Sequence, residues 1–408
     1  MPDTGSAATA HTRPGEGVMP LWLPREIFAS EHELFRDQVK RFIAVEIVPH
    51  YAKWEEAGQA PREIWAKAGA AGLLGTSIPA EYGGAEAGFL YDAIVIEELA
   101  NAGISGPSFD LHSYIVAPFL IKFATDAQKK RWLPGMADGS IIASIAMTEP
   151  DSGSDLQAVR TSAVRARATR DREGNGDHYI VNGSKIFITN GIVGDLCLLV
   201  AKTDPSLGAR GVSLLLVDTA TPGYQKSKSL KKIGNKAQDT AVLYFDDMKV
   251  PVENLLGGEN EGWRLLMSGL VQERLIVAVR AVATCETALA QTIAYVKERK
   301  AFGQRVFDFQ NTRFTLAELA TEVQIARHFM DRCIRLHAEG ACDMRTAAMA
   351  KLSSTELQQK VLDACLQLHG GNGYMWEYWI ARAWADARVH RIYAGTNEIM
   401  KELIRRTL

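Results

Sequence analysis

One pair of charges in this chain sits where charge is expensive. Gln272-Glu273-Arg274 lies inside the apolar stretch Gly269–Val279. At helical spacing, the neighbours of Glu273 are Gly269, Leu270, Ile276 and Val277, and those of Arg274 are Leu270, Val271, Val277 and Ala278. A charged pair on a helix is ordinarily a solvated face; here neither charge has a partner one turn away and both have apolar neighbours, which favours a functional role over that plain reading. A charge among apolar side chains is costly unless paired or used. A carboxylate so placed has its pKa raised toward neutrality, the property of a general base.

Four further motifs each admit a plain structural reading. Thr148-Glu149-Pro150-Asp151-Ser152-Gly153-Ser154-Asp155 is either an ordinary polar loop or one whose amides approach an anionic or flat, polar ligand. Arg299-Lys300-Ala301-Phe302-Gly303-Gln304 ends a long helical pattern, where cations complement the helix dipole with or without a ligand. Leu368-His369-Gly370-Gly371-Asn372-Gly373-Tyr374 has three glycines where one would cap a helix, which points to close backbone approach; His369 reads as a structural hydrogen-bonder. Tyr393-Ala394-Gly395-Thr396-Asn397-Glu398 precedes a last helix that Thr396 or Asn397 would cap. The nicotinamide, P-loop, zinc-protease and α/β-hydrolase signatures are absent.

The elements that carry these motifs fall into three blocks of the 408 residues. Residues 25–140 read helical, with segments near 61–74, 91–102 and 126–137 and a capping box at Ser30 and Glu33. Residues 141–256 read as a small antiparallel β barrel, with strands at 162–168, 178–188, 196–202, 212–218 and 240–246. Asn182-Gly183 is the strongest hairpin signal. Residues 257–408 read as a C-terminal four-helix bundle. Its seam is Leu316, Leu319, Val323, Ala326, Met330 and Cys333, with Gly340 closing that helix and 344–369 forming another. The fold class is therefore mainly α with a central β domain.

A net charge of −2 favours neither nucleic acid nor an anionic membrane surface. The five cysteines show no metal-like or disulfide-like spacing and read as reduced core residues. No apolar run is long enough to cross a bilayer. Residues 1–24 lack the features of a signal or transit peptide and read as a flexible tail on a cytoplasmic protein.

In this order, over about Arg25 to Leu408, the motifs resemble the acyl-CoA dehydrogenase family, closest to its long-chain branch. The runs Leu366–Tyr378 and Arg391–Ile404 carry most of that likeness. The resemblance implies FAD as cofactor, an acyl-CoA substrate, an electron-transfer flavoprotein as acceptor and a homotetramer built as a dimer of dimers. It implies that Ile145, Met147, Thr148, Gly153, Ser154, Phe187, Ile188 and Thr189 line the flavin, with Ser154 also near the CoA moiety. Arg299, Phe302, Gln310, Gln367, Leu368, His369, Gly370 and Gly371 would bind FAD from a neighbouring subunit, and Thr396, Asn397 and Glu398 its pyrophosphate and adenosine side. Val271, Gln272, Arg274, Tyr393, Ala394 and Gly395 would border the thioester.

The chain departs from the family pattern twice. Phe187 stands where many members have tryptophan, and an aromatic ring is kept. Ala394 stands where most carry the catalytic glutamate. Glu273 occupies the slot that the long-chain and isovaleryl branches use instead, so the resemblance makes it the base. Three functions follow: a long-chain dehydrogenase of fatty-acid β-oxidation, the same reaction on a branched short-chain acyl-CoA, or a non-catalytic flavin- or CoA-binding scaffold.

Overall fold

The computed structural model describes residues 21–155, 159–166 and 177–408. Most of the expected tail, residues 1–20, and the end of the first expected strand, residues 167–168, lie outside the described residues.

The N-terminal region is helical: α1 (Ser30–Phe42), α2 (Tyr51–Ala57), α3 (Glu63–Ala70), α4 (Phe89–Asn101), α5 (Ala117–Phe123) and α6 (Asp126–Asp138). The capping box expected at Ser30 and Glu33 does not form. Instead His32 Nδ1 accepts from the Ala29 amide at 3.1 Å, while Glu33 pairs with Arg36 at 3.2 Å. A carboxylate one turn from an arginine has a better use than reaching back to a single amide.

Among the described residues eight strands make the central sheet, in the order β6-β7-β3-β2-β4-β5-β8, with β1 beside β4. They are β1 (Ala143–Ala146), β2 (Ser162–Ala166), β3 (His178–Thr189), β4 (Leu196–Lys202), β5 (Val212–Asp218), β6 (Tyr224–Lys226), β7 (Thr240–Pro251) and β8 (Leu255–Leu256). Pairing is mostly antiparallel, but β1 and β2 each run parallel to β4. Strand β4 is buried along its whole length, which explains its unbroken apolar run. Leu196, Leu198 and Val200 face α5 and α6, whereas Cys197, Leu199 and Ala201 face the interior of the sheet.

Asn182-Gly183 is not a hairpin turn. It is a bulge within β3, at a register shift between Val181 and Gly183. Pairing with β2 on one side and β7 on the other holds β3 straight through it. Asn182 Nδ2 donates to Asp247 Oδ1 at 3.0 Å, and Asn182 Oδ1 accepts from the Asp247 amide at 2.8 Å. Only glycine fits at 183, since a β-carbon there would lie 2.8 Å from Thr161 Cα.

The C-terminal region has three long helices, α7 (Gly262–Glu298), α8 (Gln310–Ala338) and α9 (Met344–His369), which pack on one another. Between α7 and α8 lies the short ladder β9 (Lys300–Ala301) and β10 (Gln304–Arg305). The shorter α10 (Trp379–Ala387) and α11 (Asn397–Arg405) lie along α9. The seam read on α8 is its buried face, with Ala326 partly buried. Four cysteines are buried, Cys342 is partly so, and all five are unpaired. Among the described residues no helix is long and apolar enough to cross a membrane.

A buried charge cluster ties the N-terminal helices to the bundle. Glu97 on α4 accepts from Arg25 at 2.8 Å, Arg36 at 3.1 Å and Arg327 at 2.8 Å. Arg327 on α8 also bonds Glu286 on α7 at 2.8 Å. Burial alone would push the Glu97 carboxyl up, but Arg327, Arg25 and Arg36 outweigh it and hold it down to about 2. Arg25, Arg36 and Arg327 keep Asp331, Glu98 and Glu286 as other partners, so Glu97→Gln should destabilise the protein by less than the about 3–5 kcal/mol of a buried pair broken outright, read in denaturant titrations at neutral pH. A depressed carboxylate stabilises above its unfolded value of 4.5, so the difference from wild type should shrink as pH falls from there toward 2.

Candidate active site

Glu273 lies in the first half of α7, an uninterrupted helix of 37 residues. Its side chain is partly buried, and its carboxylate has no hydrogen-bond or ion-pair partner among the described residues. Burial pushes its pKa up to about 7, against a smaller opposing pull from Arg274. Successive helical side chains diverge, so the two charges do not pair. Arg274 is instead buried and turned toward the C-terminal turn. Its Nε donates to the Ala394 carbonyl at 3.3 Å, and its guanidinium contacts Met344 Sδ.

That contact brings Tyr393-Ala394-Gly395 beside the helix segment of Glu273, whose charge is felt at the Tyr393 phenol. Tyr393 stacks on His390, with ring centroids 5.5 Å apart. Ala394 and Gly395 both adopt left-handed backbone, with φ of 55° and 88°. A β-carbon at 395 would also lie 2.8 Å from Met400 Cε, so the turn requires its glycine. Among the described residues the amides of Ala394, Gly395 and Thr396 have no acceptor, leaving a row of free donors in the turn that Arg274 holds.

Two residues expected to touch ligand are committed internally. Gln272 Nε2 donates to the Tyr114 carbonyl at 2.8 Å, and its Oε1 accepts from His337 Nε2 at 3.1 Å. Asn397, 1% exposed, accepts from Lys351 at 2.7 Å and donates to Glu356 at 2.8 Å. Thr396 caps α11, its Oγ1 accepting from the Ile399 amide at 3.3 Å, as a purely structural reading of the motif would have it. Glu398 is exposed, and Val271 is partly buried against the helical core.

The β-sheet residues form a second group. The Ile186 amide donates to the Thr148 carbonyl at 2.9 Å, fastening the polar loop to β3. Beneath it Lys185 Nζ donates to the Met147 carbonyl at 3.0 Å and to Glu149 at 2.8 Å, and the Arg160 and Thr161 amides also donate to Glu149. Burial opposes ionisation of Glu149, but Lys185 and these amides prevail and hold its pKa below the usual range. Glu149 is thus an internal strut, and Lys185, which the sequence did not single out, is its counterpart. Met147, Thr148, Gly153, Ser154 and Thr189 are at least partly exposed, and Phe187 is 65% exposed. Ile145 and Ile188 bury their side chains in the cores and offer only backbone.

A third group lies at the far end of α7. Arg299, Gln367, Leu368, His369, Gly370 and Gly371 line a cleft of about 330 Å³, together with Tyr295, Val306 and Asn372. The exposed Arg299 guanidinium has no hydrogen-bond or ion-pair partner among the described residues, so its charge is available to an anion. His369 is buried, bonds the Cys365 carbonyl and stacks on Tyr295 at 4.2 Å, which makes it a wall of the cleft. A β-carbon at Gly370 or Gly371 would meet nothing within 4 Å, so backbone there is open to a ligand. This volume is at the small end for a ligand site, and it fits one portion of a dinucleotide. Gln310 and Phe302 are exposed nearby in sequence, Phe302 at 96%.

Backbone strain marks all three groups. Eight described non-glycine residues have positive φ, and five of them are Asn, Asp or Glu. The other three are Phe187, Phe302 and Ala394, one in each expected binding segment. Such conformations are costly and concentrate at functional sites.

The chain matches known proteins along nearly its whole length. The N-terminal, middle and C-terminal domains of acyl-CoA dehydrogenase match residues 29–140, 144–248 and 260–408. The chain belongs to the acyl-CoA dehydrogenase family. The mouse (Mus musculus) mitochondrial long-chain specific acyl-CoA dehydrogenase is 47% identical over 386 residues, 94% of this chain and 88% of the relative. The crystal structure of an acyl-CoA dehydrogenase from Geobacillus kaustophilus superposes with a TM-score of 0.89 at 46% identity, covering 93% of this chain and 98% of the other. A glutaryl-CoA dehydrogenase from Mycobacterium smegmatis, solved with FADH2, gives a TM-score of 0.83 at 25% identity over 93% and 95%. Acyl-CoA dehydrogenases are FAD-dependent oxidoreductases, and the exposed aromatic, free arginine and open glycine backbone here fit that cofactor.

The raised pKa of Glu273 makes a stability prediction. A carboxyl whose pKa rises from 4.5 to about 7 on folding favours the folded state only while protonated, and opposes it as pH climbs through that window. Glu273→Gln should therefore melt above the wild-type acyl-CoA dehydrogenase at pH 8. The gain should fade as pH is lowered toward 4.5, read by thermal melting of the substrate-free holoenzyme.

Proposed function

We propose that this acyl-CoA dehydrogenase oxidises long-chain acyl-CoA thioesters to trans-2-enoyl-CoA, with Glu273 as the base and an electron-transfer flavoprotein as acceptor. The observation that carries the reading is the unpartnered Glu273 carboxylate, beside a turn whose own position 394 is alanine. Identity of 47% to a long-chain specific relative over nearly the whole chain supports the substrate class.

Arg299, the open backbone at Gly370-Gly371, the 147–154 loop and Phe187 would hold FAD, which supplies the acceptor for the β-hydride. The chain's own residues then have three tasks. Glu273, ionised, takes the α-proton. The free amides of the 394–395 turn face the charge that develops on the thioester oxygen, as preorganised donors act in an oxyanion site. Arg274, held on the Ala394 carbonyl, keeps that turn against the helix of the base without neutralising it.

Glu273→Gln should retain FAD and bind acyl-CoA, yet reduce flavin slower by more than the roughly 10²–10⁴ credited to a base. Rapid reduction by that variant would refute the assignment. In the wild type the rate should rise with pH through about 7 and then level off, because the base must be ionised. Spectral titration with straight-chain acyl-CoAs of increasing length and with isovaleryl-CoA tests the substrate. Bleaching that strengthens with length supports the long-chain reading, and preference for isovaleryl-CoA overturns it.

Glu273 on α7 and Arg299, the extended residue that follows its last turn, lie roughly 39 Å apart at 1.5 Å per residue. The separation supports sites completed between subunits, in a homotetramer closed as a dimer of dimers. Light scattering should find the tetramer, and a fully active monomer would contradict it.

A further inference from the structure

The turn beside Glu273 is gripped by a second buried cation. Lys351 lies on the face of α9 that also carries Ala347, Ser354 and Thr355, and it is 0% exposed. Its ammonium donates to the Gly395 carbonyl at 2.8 Å and to Asn397 Oδ1 at 2.7 Å, and no carboxylate pairs with it among the described residues. Burying an ammonium on neutral acceptors is costly, and an apolar side chain of similar length would avoid that cost.

Anchoring α11 does not require this lysine. Asn397 already bonds Thr355 at 3.0 Å and Glu356 at 2.8 Å. What the lysine adds is the bond to Gly395. Each peptide unit is planar, so holding its carbonyl orients its whole plane. Arg274 holds the carbonyl of Ala394 and Lys351 holds that of Gly395. The two peptide planes flanking Gly395 are thereby fixed, and the one residue with the most backbone freedom in this turn has none left. The amide of Ala394, adjacent to those planes and without an acceptor, inherits their order.

We propose that Lys351 is a positioning residue for the reaction: by fixing the Gly395 carbonyl it holds the turn so that its free amides meet the thioester oxygen beside Glu273. This rests on the reading that Glu273 and the 394–395 turn act on the thioester.

The test uses FAD-loaded enzyme and an acyl-CoA with sulfur in place of the β-carbon. That analogue can lose an α-proton but cannot be dehydrogenated. Exchange of its α-protons in heavy water, followed by mass spectrometry, reports enolate formation apart from turnover. Lys351→Met should slow exchange about 10- to 100-fold, the scale of a misplacement near 1 Å. The dissociation constant should change less than the rate, and the pH midpoint should stay at the wild-type value because Glu273 is untouched. Lys351→Gln, which keeps an N–H donor on a shorter, uncharged side chain, should recover part of the loss. Wild-type exchange by Lys351→Met overturns the proposal, as does a loss that glutamine leaves unrelieved. Should the methionine variant not fold, the glutamine variant decides: slowed exchange at an unchanged midpoint supports the clamp, and unaltered exchange sinks it. Glu273→Gln run alongside separates the two readings, since rapid exchange by that variant would mean a misassigned base whatever the lysine variants do.

Discussion

A carboxylate can be kept near neutrality only if nothing neutralises it, and in this protein a guanidinium is the next residue along. The arrangement around Glu273 follows from solving that conflict. Arg274 is turned away on the helix and occupied by the Ala394 carbonyl and Met344. Had it been free to fold back, Glu273 would be an ordinary ion pair with a depressed pKa and little basicity. The same hydrogen bond that removes the competing cation also ties the 394–395 turn to the helix segment of Glu273. Discharging one requirement meets the other.

Buried cations recur in this fold as holders of backbone. Lys185 grips the Met147 carbonyl under the polar loop, Arg274 the Ala394 carbonyl and Lys351 the Gly395 carbonyl. The turn held by the last two contains Ala394, whose backbone is strained, and strained Phe187 follows Lys185 two residues along β3. Strained conformations persist only where surrounding contacts over-determine them. Long cationic side chains can reach across from a regular element to do this. The rigid elements thus lend their order to loops that have no hydrogen-bond ladder of their own.

What could be read from sequence was what depends on near neighbours. The bounds of α9 and the seam of α8 are visible because helical periodicity is local. Glu273 stood out for the same reason, since its apolar neighbours lie within one turn. Asn182-Gly183 misled because a bulge is decided by β2 and β7, and the two residues alone say only that a positive φ is available. Glu33 misled because a cap competes with an arginine three residues on. Lys351 gave one faint signal, a charge on the face shared by Ala347 and Ser354, but its acceptors are 44 and 46 residues away. Asn397 looked like a ligand contact because the partners that saturate it lie on another helix.

Helix α7 carries Glu273 in its first half and ends at the threshold of the Arg299 cleft, without a break. Any insertion or deletion between those points would swing one site against the other by about 100° per residue and slide it by 1.5 Å. The register of this rod is therefore closed to length variation, whereas point substitutions along it remain open. Changes of length are left to segments that do not join these two points.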